Sequence, residues 1–182
     1  MGKKTLIKSI IAIAGALYAA FILQTAIFAR MPLAGVTPNL ILIIISMFGF
    51  LKGTKYGMIC GFMGGLMVDV FVGSHFGMYA LIYTYIGLIN GLLSTVFYGD
   101  DIKLPLFLVG GSDIFFGMII YVSTFLLRNR NDLGFYAVNI MIPETVYTVV
   151  VAMFLFFPLQ KLCQWIDQAD TGRGTRGNRV IG

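Results

Sequence analysis

Three acidic residues stand inside long apolar stretches: Asp69, Asp113 and Glu144. A carboxylate held at the centre of a bilayer costs several kcal/mol, so each must be matched by something polar. At 1.5 Å of rise per residue, Asp113 and Glu144 come out about 14–15 Å deep in an apolar layer of about 30 Å. Asp69 is shallower, toward the outer end of its segment. Every Lys and Arg falls at a segment edge, so the chain offers these acids no basic partner within the membrane. Pro143 ahead of Glu144 frees a backbone carbonyl, and Gly110-Gly111-Ser112 ahead of Asp113 loosens that helix. Three roles fit such acids: hydrogen bonding inside a helix bundle, contact with a partner helix, or carriage of an ion or substrate.

Enzyme chemistry finds no support. His75 is the single histidine and sits between Gly73 and Gly77 in a connecting loop. There is no nucleophile–base pair, phosphate-binding loop or HExxH pattern. Cys60 and Cys163 are the two cysteines. Both fall on or near the cytoplasmic side, where thiols stay reduced, and no CxxC suggests a metal. Neither a cofactor nor a metal is expected.

The elements that hold these residues follow from composition. The 182 residues are 58% hydrophobic and 12% charged, about half the 25% charge of an ordinary soluble domain. Mean hydropathy is +0.89. Six apolar runs approach the length needed to span a bilayer: Leu6–Ala29, Pro38–Leu51, Tyr56–Val72, Phe76–Tyr98, Leu104–Leu127 and Phe135–Phe157. The second is short and begins as irregular chain near Gly35-Val36-Thr37-Pro38. The first is too long for a signal-peptide core and lacks a clean cleavage pattern, so it is read as a retained helix. The fold class is thus an all-α integral membrane protein with six transmembrane helices.

Orientation follows from the basic residues. With both ends cytoplasmic, Lys3, Lys4, Lys8, Lys52, Lys55, Lys103, Lys161, Arg173, Arg176 and Arg179 lie inside, against Arg30, Arg128 and Arg130 outside. That split predicts a multi-pass protein of the bacterial cytoplasmic membrane. The net charge of +5 then serves orientation and attraction to anionic lipid, not nucleic acid. Residues 1–158 form the membrane domain. In 159–170, Leu159, Leu162, Cys163 and Ile166 make one apolar face, read either as an interfacial helix with Trp165 at its edge or as the frayed end of the sixth span. The Gly-rich basic stretch 171–182 is expected to be disordered.

Small residues at spacing four recur in Ala12/Ala16/Ala20, Gly57/Gly61/Gly65 and Gly87/Gly91. Such faces let helix backbones approach closely. The glycine faces read as packing inside the bundle. The alanine face, on an end helix, reads as a docking surface for a partner.

One block is more specific. Thr37-Pro38-Asn39-Leu40 is followed by Gly53, by Gly57-x-x-x-Gly61-Phe62-x-x-Gly65-Leu66-x-x-Asp69, and by Gly73-x-x-x-Gly77-x-x-Ala80-Leu81. This pattern resembles the MreD family of rod shape-determining membrane proteins over roughly residues 37–92. Phe76 stands where that family commonly has Leu, and Tyr79 where it commonly has His. The resemblance implies a non-enzymatic component of the cell-elongation machinery. Its partners would be an MreC-like bitopic protein and, directly or indirectly, RodA-like and class B penicillin-binding wall synthases linked to MreB filaments. It also implies a fold like that of the substrate-binding components of energy-coupling-factor vitamin transporters. Such a component is the alternative function, although no outside loop carries the polar and aromatic residues that would hold a vitamin.

Overall fold

In an apolar layer every backbone polar group must find its partner within the protein, and every element among the described residues is helical. The computed structural model describes residues 3–30, 32, 35–71, 77–96, 103–124 and 133–171. Helix α1 (Lys3–Ile22) runs on through a π turn, Leu23–Ile27, and a short 3-10 turn, Phe28–Arg30. Then come α2 (Leu40–Lys52), α3 (Thr54–Phe71), α4 (Met78–Val96) and α5 (Lys103–Thr124). A last rod is built from α6 (Leu133–Tyr136), a π turn at Ala137–Met141, and α7 (Ile142–Thr171). Pro143 explains that second π turn, because it has no N–H to continue the α-helical ladder.

Helix α2 is the centre. Residues Leu40 to Gly49 are all buried, and α1, α3, α4, α5 and α7 pack around them. Gly53 alone links α2 to α3, with φ of 85°, a conformation open to glycine. Lys52 lies 5.0 Å from the centre of the Tyr56 ring, a cation–π contact at the end of the helix.

By length and hydropathy, four helices among the described residues can cross a membrane: Ser9–Arg30, Met78–Thr95, Lys103–Ser123 and Gly134–Ile166. Two of the six segments read from the sequence do not meet that measure. Helix α2 has 13 residues. Helix α3 has 18, diluted by Gly57, Gly61, Gly64, Gly65, Lys55 and Asp69. The reasons differ: α2 is apolar on every side but short, its Leu40 to Gly49 enclosed by the other helices, whereas α3 is long enough but trades apolar side chains for the glycines that pack it against α4.

The segment after the sixth run is continuous with it. Pro158 lies within α7 without ending it, and Leu159, Cys163 and Ile166 are buried in the main core while Lys161, Gln164 and Trp165 are exposed. The apolar face of 159–166 therefore packs on the bundle. His75, Gly73, Phe76, Asp101, the loop from Arg128 to Asp132 and the tail 172–182 lie outside the described residues.

Candidate functional site

At 1.5 Å per residue, α2 spans about 19.5 Å, well short of an apolar layer of about 30 Å. If Lys52 marks one face, the first turn of α2 opens inside that layer. The first N–H groups of a helix have no intrahelical acceptor, and lipid supplies none. Side chains from two other helical rods, with Asn39 itself, supply the match. Leu40 N–H donates to Gln24 Oε1 at 3.0 Å, and Asn39 N–H donates to Thr148 Oγ1 at 3.1 Å. Asn39 caps its own helix, its Oδ1 accepting from Leu42 N–H at 3.2 Å. The Tyr83 hydroxyl donates to the same Oδ1 at 3.2 Å. The start of α2 is thereby fixed to α1's π turn, to α4 and to α7.

The acids gather beside this point. Asp113 is buried next to Thr145 and Thr148, and its Oδ1 has no hydrogen-bond partner. Glu144, half-buried, lies within electrostatic reach of Asp113. Phe116 closes the side, with Tyr83 stacked at 5.2 Å and Tyr79 at 6.0 Å between ring centroids. Asp113 and Glu144, assigned to separate spans, thus share one polar layer with Asn39, Tyr83, Thr145 and Thr148. Among the described residues no group of three His, Cys, Asp or Glu is placed to hold a metal ion. What the layer does chemically is hydrogen bonding: it closes the open end of a helix that starts within the bundle.

Asp69 stands apart from that layer. Its two carboxyl oxygens accept from Tyr79 N–H at 3.0 Å and Ala80 N–H at 2.9 Å, so it caps the first turn of α4 from the last turn of α3. The helix N-terminus favours a negative group there.

The glycine faces meet each other. A Cβ on Gly57 would strike the carbonyl of Gly87, and one on Gly87 the carbonyl of Gly57. Gly61 faces Tyr83 and Thr84, Gly65 faces Ala80, and Gly91 faces Thr54, in each case backbone against backbone. Helices α3 and α4 therefore touch main chain to main chain along their length. The alanine stripe differs from its reading as an outward surface. Ala20 is buried and Ala12 and Ala16 pack on the core, because Ile13 and Leu17 beside them are the residues that turn the helix inward.

Sequence reasoning missed Gln24, Asn39, Tyr83 and Thr148 as a site. Asn39 carried a usable signal, since Asn directly before an apolar run is a helix-cap pattern. Tyr83 and Thr148 carried none, being single polar groups in apolar helices. It also missed Asn90, buried on α4 between Ser46 and Ser112.

Compared with known families, the chain matches the family model described as rod shape-determining protein MreD over residues 4–166. Comparisons with curated proteins and with solved structures gave no match.

Proposed function

Since the chain belongs to the MreD family, a role in rod-shape determination follows, and within that role we propose that it acts as a non-enzymatic docking scaffold. The family is a shape-determining one with a place in peptidoglycan synthesis and the elongation machinery. The finer reading is that a rigid bundle holds the single membrane helix of an MreC-like protein. Cytoplasmic MreB filaments then stay coupled to RodA-like and class B penicillin-binding wall synthases. The observation that carries it is the match over residues 4–166. The main-chain contact of α3 with α4 supports rigidity, because backbone pressed on backbone leaves no side chains to rearrange.

The reading includes six spans, with α2 and α3 crossing as inner members of the bundle. It places both termini in the cytoplasm and the chain in the bacterial cytoplasmic membrane, among lipids. It keeps residues 1–158 as the membrane domain, 159–170 as its amphipathic extension and 171–182 as a lipid-attracted tail. Gly57, Gly61, Gly65, Gly87 and Gly91, with Ala12, Ala16 and Ala20, serve packing. Asp113 backs the start of α2 through Thr148, with Glu144 beside it in the same polar layer. No observation favours the vitamin-transporter component.

Depleting the protein in its rod-shaped host tests this. The expected result is rounded or widened cells with vitamin uptake unchanged, and a bitopic membrane protein copurifying with the chain in mild detergent. An uptake defect in cells of normal shape would refute it.

A further inference from the structure

Two clefts open on the flanks of the bundle among the described residues, one between α4 and α5 and a larger one, of ≈ 510 Å³, along the seam of α3 with α4. The second follows from the glycine contact. Where Gly57 meets Gly87 and Gly65 meets Ala80, main chain presses on main chain, so the flanking side chains stand up as two ridges with a furrow between them. Met58, Phe62 and Leu66 form the α3 ridge, and Leu81, Tyr85 and Leu88 form the α4 ridge. Met58, Phe62, Leu81 and Tyr85 are exposed, so the furrow faces the membrane. Thr84, between the ridges, already donates its hydroxyl to the Ala80 carbonyl at 2.6 Å. The α3 ridge continues at helical spacing to Lys55, exposed in the first turn of the helix. Lys55 makes no ion pair among the described residues.

We propose that this furrow seats an acyl chain of an anionic phospholipid whose phosphate meets Lys55. The leaflet is the cytoplasmic one in the orientation proposed above. From Lys55 to Leu66 is eleven residues, about 16.5 Å at 1.5 Å per residue and close to half of an apolar layer of about 30 Å. One leaflet's chain reaches that deep, whereas a spanning partner helix would run on through the whole layer. A helix of that length and 10 Å across takes up roughly 1,300 Å³, more than twice the furrow. It would rest on the ridges and leave the space between them unfilled. An acyl chain is one methylene wide and asks for no hydrogen bond, which suits apolar walls. Charge then selects the lipid class. Side chains on a helix lean toward its N-terminus, so the flexible Lys55 stem carries its ammonium outward to headgroup level while its methylenes stay on the ridge. The surface thus runs from a cation at the membrane face to an apolar furrow beneath it, the complement of an anionic lipid. A second copy docked through its own furrow would bring two Lys55 ammonium groups to one level, since a two-fold axis along the membrane normal pairs identical patches.

Fluorescence quenching by lipids with brominated acyl chains tests this on the full chain in vesicles. Phe62→Trp puts the reporter in the furrow, and Phe154→Trp puts one on the open face of α7, where Phe154 is 73% exposed. Each variant also carries Trp165→Phe. Phe154 lies seven residues from the exposed Lys161, as Phe62 does from Lys55, so charge attraction alone would act on both positions. Vesicles of phosphatidylcholine with increasing phosphatidylglycerol, one or the other brominated, give the relative binding of the two lipids at each position. The expected result is a preference for phosphatidylglycerol of about fivefold at position 62, the effect of one lysine at an anionic surface. The preference at position 154 should be clearly smaller. Lys55→Gln should remove the preference at position 62 with the melting temperature unchanged. Equal preference at the two positions, or a preference at 62 that survives Lys55→Gln, would overturn the proposal. Absence of quenching at 62 by either lipid would overturn it too, because a second copy would then fill the furrow. So would loss of a copurifying bitopic protein on Lys55→Gln, which would make the furrow that partner's seat and leave the docking reading standing. The quenching measurements need no partner, so they stand or fall independently of that reading.

Discussion

Gly61→Ala set against Gly15→Ala isolates what the α3–α4 contact contributes. Both glycines lie inside helices, so the gain in helix propensity of about 1 kcal/mol on changing Gly to Ala is common to both and cancels in the difference. The surroundings differ. A Cβ at Gly61 would sit 2.6 Å from the Tyr83 carbonyl carbon and 2.9 Å from Thr84 Cα, whereas nothing lies within 4 Å of one at Gly15. Carbon atoms rest about 3.5–4.0 Å apart, so α3 and α4 must separate by about 1 Å to admit the methyl group. The obstructing atoms are backbone and cannot swing aside. Overpacking of this kind costs about 1–3 kcal/mol. For a chain of this size each kcal/mol moves Tm by about 2–4 °C, so Gly61→Ala should melt about 2–12 °C below Gly15→Ala. The Cys60 and Cys163 thiols are buried, so a thiol-reactive dye reports unfolding of the purified protein in mild detergent. Equal melting temperatures for the two variants would refute main-chain contact between α3 and α4.

Asp69→Ala should lower stability in the same assay by about 2–4 kcal/mol, because two N–H groups lose a charged acceptor. Asp69→Asn keeps one acceptor oxygen and should lose about half as much; equal losses would show that the two bonds are not separately made. Asp113→Asn and Glu144→Gln should accumulate normally and restore rod shape to depleted cells, since an amide hydrogen-bonds in similar space; rounded cells at normal protein level would show that the charge itself is needed. A cysteine replacing Lys55 should resist an impermeant thiol reagent applied to intact cells while one replacing Arg30 reacts, and the reverse pattern would invert the topology.

The helices were legible from run length, and four of the six runs are long and apolar enough to cross a membrane. Their depth within the bundle was not legible. The short run at Pro38–Leu51 showed that something was irregular before residue 40, yet not that α2 is the buried centre, since a run of Ile and Leu looks the same facing lipid or protein. The glycine faces were legible as packing, because close approach needs small residues at spacing four. The alanine face was not, because Ala12, Ala16 and Ala20 say that a neighbour can come near without saying whether it belongs to this chain. Ile13 and Leu17 decide the matter through burial, which sequence does not display. Asp113 and Glu144 were legible as polar groups needing partners. Their meeting was not, since it depends on α5 and α7 lying side by side.

The structure divides the bundle by the kind of contact that holds it. Helices α2, α3 and α4 are joined through glycine, where Gly49 and Gly57 meet Gly87. Helix α5 packs on α2 and α7, and the polar layer of Asn39, Tyr83, Asp113 and Thr148 lies where these helices meet. Backbone contact resists shear, because any slide drives carbonyls into neighbouring main chain. Hydrogen bonds between side chains yield more easily, since a hydroxyl can rotate to a new acceptor. The cleft between α4 and α5 lies on the seam between these two regimes. The first regime makes the α2–α3–α4 part of the bundle the stiffer one. Asn90 stands where the two meet, its amide nitrogen donating to the Ile86 carbonyl of its own helix and to Ser112 on α5.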